Sequence, residues 1–162
     1  MTQHQVELDA VFSALGKTPA AFAAALTKLG ATGFERRPAA EEWSPREVLT
    51  HVRASDLIVS ARIWSALVRR DAIHPGFDER AYGDLLTRAG LSANHQVRAF
   101  TLRRRELLGL LRGLSDEEWL AMVHTDFGER SVMDVAVAMA AHETEHVGQL
   151  QAASGAGSTA TS

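Results

Sequence analysis

Along most of the chain apolar residues recur at intervals of three and four, and strand-like alternation is hard to find. That spacing predicts an all-α domain. The first helical region covers about residues 3–30, with a break near Gly16-Lys17. There Thr18 is placed to cap and Pro19 to take the first helical position of "TPAAFAAALTKLG"; Gly30 and Gly33 end it. The second start is sharper. In "WSPREV", Ser44 is the N-cap, Pro45 the first helical residue and Glu47 the closing member of a capping box, with Trp43 and Val48 spaced as a hydrophobic staple. A helix should run from there to about Arg70.

Pro75-Gly76 breaks the loop "DAIHPGFDE", a short helix follows near 79–88, and a long one near 92–112 ends at Gly113. "LSDEEW" repeats the capping logic with Ser115, Glu118, and Leu114 against Trp119. "HTDFGER" reads as a loop. Ser131 with Asp134 opens the last helix, about 132–152, and the tail "ASGAGSTATS" has no apolar pattern and reads as flexible. Four long helices with moderately long connections predict a four-helix bundle over residues 1–152, with 153–162 as a tail.

Three histidines interrupt the apolar stripes. In the last helix Val132, Val135, Met139, His142, His146, Gln149 and Leu150 share one face. His142 and His146 therefore stack about 6 Å apart along it. In the second helix Val48, His51, Val52, Ser55, Ile58 and Val59 form the matching stripe. Buried imidazoles need partners for their nitrogens. Either they are hydrogen-bonded core histidines, or His51, His142 and His146 hold a divalent metal with a fourth position open. His4, His74, His95 and His124 fall on ends, loops or polar faces.

"HETEH" also spells the zinc-protease string H-E-x-x-H. Such proteases take a third ligand from downstream. Only 16 residues follow His146, and none is His, Asp or Glu, so the third ligand must come from upstream. His51 is the placed candidate.

Composition narrows the functions further. At 162 residues the chain suits one domain. A net charge of −3 gives no electrostatic case for nucleic acid or an anionic membrane. With no cysteine, disulfides, thiolate zinc sites and a protein thiol nucleophile are excluded. No secretory signal is seen and no apolar run approaches the roughly 18 residues of a membrane span, so the expected compartment is the cytoplasm.

With His51 joined to His142 and His146, the sequence resembles the DinB/YfiT-like metalloenzyme superfamily. The resemblance rests on "EEWSPREVLTHVRASD", on "GLSDEEW…HTDFGERSVMDV" and on "HETEHVGQL", over about residues 5–152. It implies a four-helix bundle of up-down-down-up order with short accessory helices, often a homodimer. It also implies a three-His site for zinc or nickel, with His51, His142 and His146 as ligands. Some relatives are similar to S-transferases or isomerases using mycothiol, bacillithiol or glutathione, although the extra C-terminal domain of the mycothiol-dependent isomerase has no counterpart here. The expected activity is thiol S-transfer or metal-dependent hydrolysis on a small-molecule substrate. A non-catalytic metal-binding or ligand-binding stress-response protein is the alternative.

Around that site Glu143 is the nearest candidate general base, or else a partner of a ligand or a surface carboxylate; Glu145 reads as surface. Asp56 could orient His51 or pair with Arg53, and Gln149 is a lining or packing amide. "LGKTP" lacks the first glycine of a phosphate loop, since position 11 is Val. "LRRREL", with Arg103, Arg104 and Arg105, reads as a solvated helix face, from which one Arg could contact an anionic substrate.

Overall fold

A computed structural model describes residues 3–156, with side-chain surroundings from Glu7 to Gly155. Four long helices, α1 (Gln3–Glu35), α2 (Pro45–Val68), α4 (Ala93–Arg112) and α6 (Val132–Ala156), form the bundle. Two short helices, α3 (Glu79–Arg88) and α5 (Asp116–Trp119), lie in the connections.

The cross-helix contacts fix the order. Arg112 packs over Phe12, Arg104 reaches the Leu15 carbonyl and Phe22 meets Phe100, so α1 and α4 are antiparallel. Arg46 reaches the Leu91 carbonyl and Asp56 holds Arg103 and Arg104, so α2 and α4 are parallel. His51 meets His142 and His146 midway along α6. Val48 and Leu49 at the start of α2 share a cluster with Leu150, while Ile63 and Ala66 at the end of α2 share one with Val132 and Ala136, which makes that pair antiparallel. The bundle is therefore up-down-down-up.

Both capping boxes form. Ser44 Oγ accepts from the Glu47 N–H while Glu47 accepts from the Ser44 N–H, and Ser115 and Glu118 do the same. Ser131 and Asp134 bond reciprocally at the start of α6.

Several expectations fail. Pro19 does not begin a new helix: α1 is continuous through it, with a kink only at Gly30, where φ is 67°. Gly30 does interrupt the helix, as expected, its φ/ψ being non-helical, and a further short helical stretch runs past Gly33 to Glu35. Proline lacks the N–H that would bond the carbonyl four residues back, which is Leu15's. The buried Arg104 guanidinium donates to that carbonyl at 2.9 Å, and the helix survives. Within α1, Glu7–Glu35 is long and apolar enough, by length and composition, to cross a bilayer, against the reading that no run approaches that. Here its apolar side chains Val11, Leu15, Phe22 and Leu26 pack in the bundle core.

"HTDFGER" is no loop but a hairpin. Strands β2 (Met122–Thr125) and β3 (Gly128–Ser131) pair antiparallel, and β1 (Ile73–His74) joins β2 in parallel. The last helix extends to Ala156 instead of stopping at 152, and residues 157–162 lie outside the described residues.

The core is two apolar clusters separated by a polar layer. Leu8, Leu15, Ile63, Leu107, Leu111 and Ala136 belong to one; Phe22, Leu49, Val52, Val97, Phe100 and Leu150 belong to the other. Between them each long helix contributes one buried polar side chain: Thr18, Asp56, Arg104 and Glu143.

Candidate metal centre

Ser44 fixes where α2 begins, and His51 projects from α2 less than two turns later, against the middle of α6. There the three imidazoles converge. His142 Nε2 lies 3.1 Å from His51 Nε2 and 3.0 Å from His146 Nε2. One ring nitrogen from each residue falls within 4.8 Å of the others, an arrangement able to hold a metal ion. Trp43, just ahead of the α2 cap, walls one side: its ring stacks on His146 with centroids 6.1 Å apart and sits 4.9 Å from His51.

Burial favours the neutral form of two of the rings, His51 and His142. It pushes His51 down to about 4, with further lowering from His146, His142 and Arg80. It also lowers His142, with His146 adding to the effect and Glu79 and Glu145 opposing it.

His146 Nδ1 lies 2.9 Å from Gln149 Oε1. With the amide so oriented, Nδ1 carries the proton and Nε2 points a lone pair inward. A single N–H on His142 Nε2 can serve only one of the two nitrogens facing it. His51 Nε2 also has Glu79 Oε2 at 3.0 Å as a partner, and a cation between the rings would take a lone pair from all three Nε2 atoms at once. Donors around a tetrahedral ion held at about 2.0–2.1 Å lie roughly 3.3 Å apart, within a few tenths of the spacings here. The donor set fits a divalent metal.

Glu143 is not beside the cluster. It occupies the centre of the α6 core stripe, and Arg104 grips it twice, at 2.7 and 2.5 Å. Arg104 also donates to Asp56 at 3.0 Å, and Asp56 takes Arg103 at 3.1 Å. Burial pushes the Glu143 carboxyl up, against the lowering by Arg104 and Thr18. The expected base is thus locked in an ion pair, Asp56 neither orients His51 nor bonds Arg53, and Arg104 is buried rather than solvated. Arg105 is exposed, and so is Glu145, as expected.

The acidic group that does reach the cluster is Glu79, the first residue of α3, with Oε2 3.0 Å from His51 Nε2. Sequence reasoning missed it because nothing in the spacing of α3 ties it to α2; the only signal was its place at a helix start after a long loop. The remaining described histidines stay away. His74 and His124 lie on paired strands, His124 bonded to Glu129, and His95 contacts Ser92. The side chain of His4 lies outside the described residues.

A cleft of about 310 Å³ opens beside His142 and Glu79, between α2, α6 and the β2–β3 hairpin.

Fold and site together define a class: a helical bundle in which the second and last long helices bring three imidazoles together, one of them, His142, lining an open cleft. The sequence matches the DinB superfamily over residues 14–150, and the chain belongs to that superfamily. Among solved structures it is similar to one described as "YfiT from Bacillus subtilis is a probable metal-dependent hydrolase with an unusual four-helix bundle topology". That match has a TM-score of 0.81 and 15% identity, and covers 95% of this chain and 88% of the other. At that identity it speaks to the fold. No curated protein matches the sequence.

Proposed function

We propose that this protein is a metal-dependent enzyme in which His51, His142 and His146 hold one divalent ion, zinc or nickel. The observation that carries the reading is the convergence of three Nε2 atoms, with His51 and His142 kept uncharged at neutral pH by burial. Such an ion, when bound, lowers the pKa of a coordinated water or thiol and so supplies a nucleophile near pH 7. The chain provides the rest. Gln149 fixes the His146 tautomer, Trp43 keeps water off one side, and Glu79 Oε2 is the carboxylate oxygen placed to take a proton at the cleft side.

The reaction is hydrolysis, or S-transfer from a low-molecular-weight thiol; with no cysteine in the chain, that thiol must arrive as a cosubstrate. The open cleft beside the donors favours catalysis over a purely structural site, which a fourth protein ligand would close. The superfamily resemblance supports a homodimer, which sedimentation velocity checks.

The test assays metal-loaded protein for ester and amide hydrolysis, and for conjugation of electrophiles with mycothiol, bacillithiol and glutathione. Turnover is expected in one arm. Glu79→Gln should lower kcat on the order of a hundredfold while metal content holds. Equal turnover by chelated protein, or no effect of Glu79→Gln, contradicts the reading.

A further inference from the structure

At the end of the cleft away from the histidines stands Arg62. Its side chain is 8% exposed and lines the cleft. A guanidinium carries five N–H donors, and the bond Arg62 makes is from Nη2 to the Pro75 carbonyl at 2.5 Å. None of the ion pairs among the described residues includes it. The nearest opposite charge, Asp126, acts on it from beyond ion-pair distance and gives Oδ2 to the Gly76 N–H at 3.0 Å. The carboxylates lining the cleft are engaged elsewhere, Glu129 with His124 and Glu79 with His51.

Two rings hold the guanidinium in place. Phe77, in the loop before α3, lies 4.9 Å from it, and Phe127, in the hairpin turn, lies 5.8 Å away. Aromatic rings at these distances suit a cation that keeps its charge while its edge stays available. A guanidinium with no carboxylate paired to it and with donors still open to solvent beside a cavity is placed to receive an anion that enters. The Pro75 bond uses one donor, and no other Arg62 nitrogen is both buried and unpartnered, so the remaining N–H groups stay open to a molecule entering the cleft.

The cleft wall is mostly apolar, with Val59, Val123, Val135 and Met139 lining it, and Ser55 of α2 is a polar exception. Arg130 stands at the exposed rim and adds a second positive charge. Along α2, His51 and Arg62 are separated by about 16 Å, or three turns.

We propose that this cleft binds a small molecule with an anionic end, carboxylate or phosphate, seated on Arg62, and an apolar middle lying along α2 and α6 toward His142. The anion seat stands on the geometry of Arg62 alone; that the other end is the reacting one rests on the metal-site reading above.

The test uses chelator-treated full-length protein, so that no probe can bind a metal. Phenylbutyrate and phenyl phosphate are titrated against their uncharged counterparts, phenylbutyramide and phenol, and followed by calorimetry and by the Nε–Hε resonance of Arg62. At least one anion should bind about tenfold tighter than its neutral counterpart and move that resonance. Which anion wins separates the carboxylate from the phosphate source. Arg62→Gln should bring the ratio to about one, whereas Arg70→Gln, at an exposed ion pair with Glu117, should leave it unchanged. Should Arg62→Gln not fold, the wild-type resonance decides. Equal binding of acid and neutral probe, no binding by either anion, or a preference that persists in Arg62→Gln overturns the proposal. These outcomes are independent of metal binding, so failure here and failure of the metal site are separately visible.

Discussion

Arg104 shows how much a single residue can carry. Its guanidinium closes the carbonyl that Pro19 leaves open, and it neutralises Glu143 and Asp56 where all four long helices meet. Removing one partner of such a pair leaves a buried charge uncompensated. Arg104→Met, which leaves the buried Glu143 carboxylate without its cation, should therefore cost about 3–5 kcal/mol of unfolding free energy, read from urea denaturation, and Glu143→Gln, which leaves Arg104 paired with Asp56, should cost less. None of this was visible in "LRRREL", because the carboxylates that choose Arg104 over Arg105 lie tens of residues away in the sequence. Glu143 was misread for a related reason. A charge at the centre of a core stripe hides the stripe, and attention shifts to the neighbouring histidines. The histidines themselves carry a pH signature. His51 is held near 4 in the fold and titrates near 6.5 unfolded, so below neutrality the unfolded chain binds more protons. In metal-free protein stability should fall as pH drops from about 6.5 to about 4, through the range in which the unfolded His51 takes up its proton and the folded one does not. His51→Ala should flatten the slope, as urea midpoints across that range would show.

At the scale of elements, what the sequence announced was local chemistry. Ser44–Glu47 and Ser115–Glu118 could be read because the cap and its reciprocal carboxylate are three residues apart, and both form. Ser44→Ala should cost about 1 kcal/mol of stability in the same denaturation assay, since α2 would start without its cap. Gly30 takes a left-handed φ of 67° at the α1 kink, a conformation that strains a residue with a side chain. Gly30→Ala should lower stability by about 1 kcal/mol, measured as a shift in the urea midpoint. The hairpin escaped because its strands are four residues long and largely exposed, too short for alternation to register. Pro19 misled for the opposite reason: its local preference for a helix start was overridden by a tertiary contact from α4.

For the whole molecule, the order of the helices decides which residues can meet. The α2/α6 antiparallel pairing puts His51 level with His142 and His146, and the parallel α2/α4 pairing puts Asp56 level with Arg104. The histidine cluster was legible because imidazoles on apolar stripes at helical spacing stand out. Trp43 and Glu79 were not legible as its neighbours, since one precedes a cap and the other starts an accessory helix with no buried residue. The two apolar clusters and the polar layer between them also depend on the bundle order, which no single segment encodes. The central claim is that the three rings share one cation. Its most direct test is titration of chelator-stripped protein with zinc or nickel, read by calorimetry and elemental analysis, for the wild type and for His51→Ala, His142→Ala and His146→Ala. One equivalent per chain in the wild type, and a loss of at least about a hundredfold in affinity in each variant, is the predicted result. A wild type that takes up no metal, or variants that bind as tightly as it does, would contradict the claim.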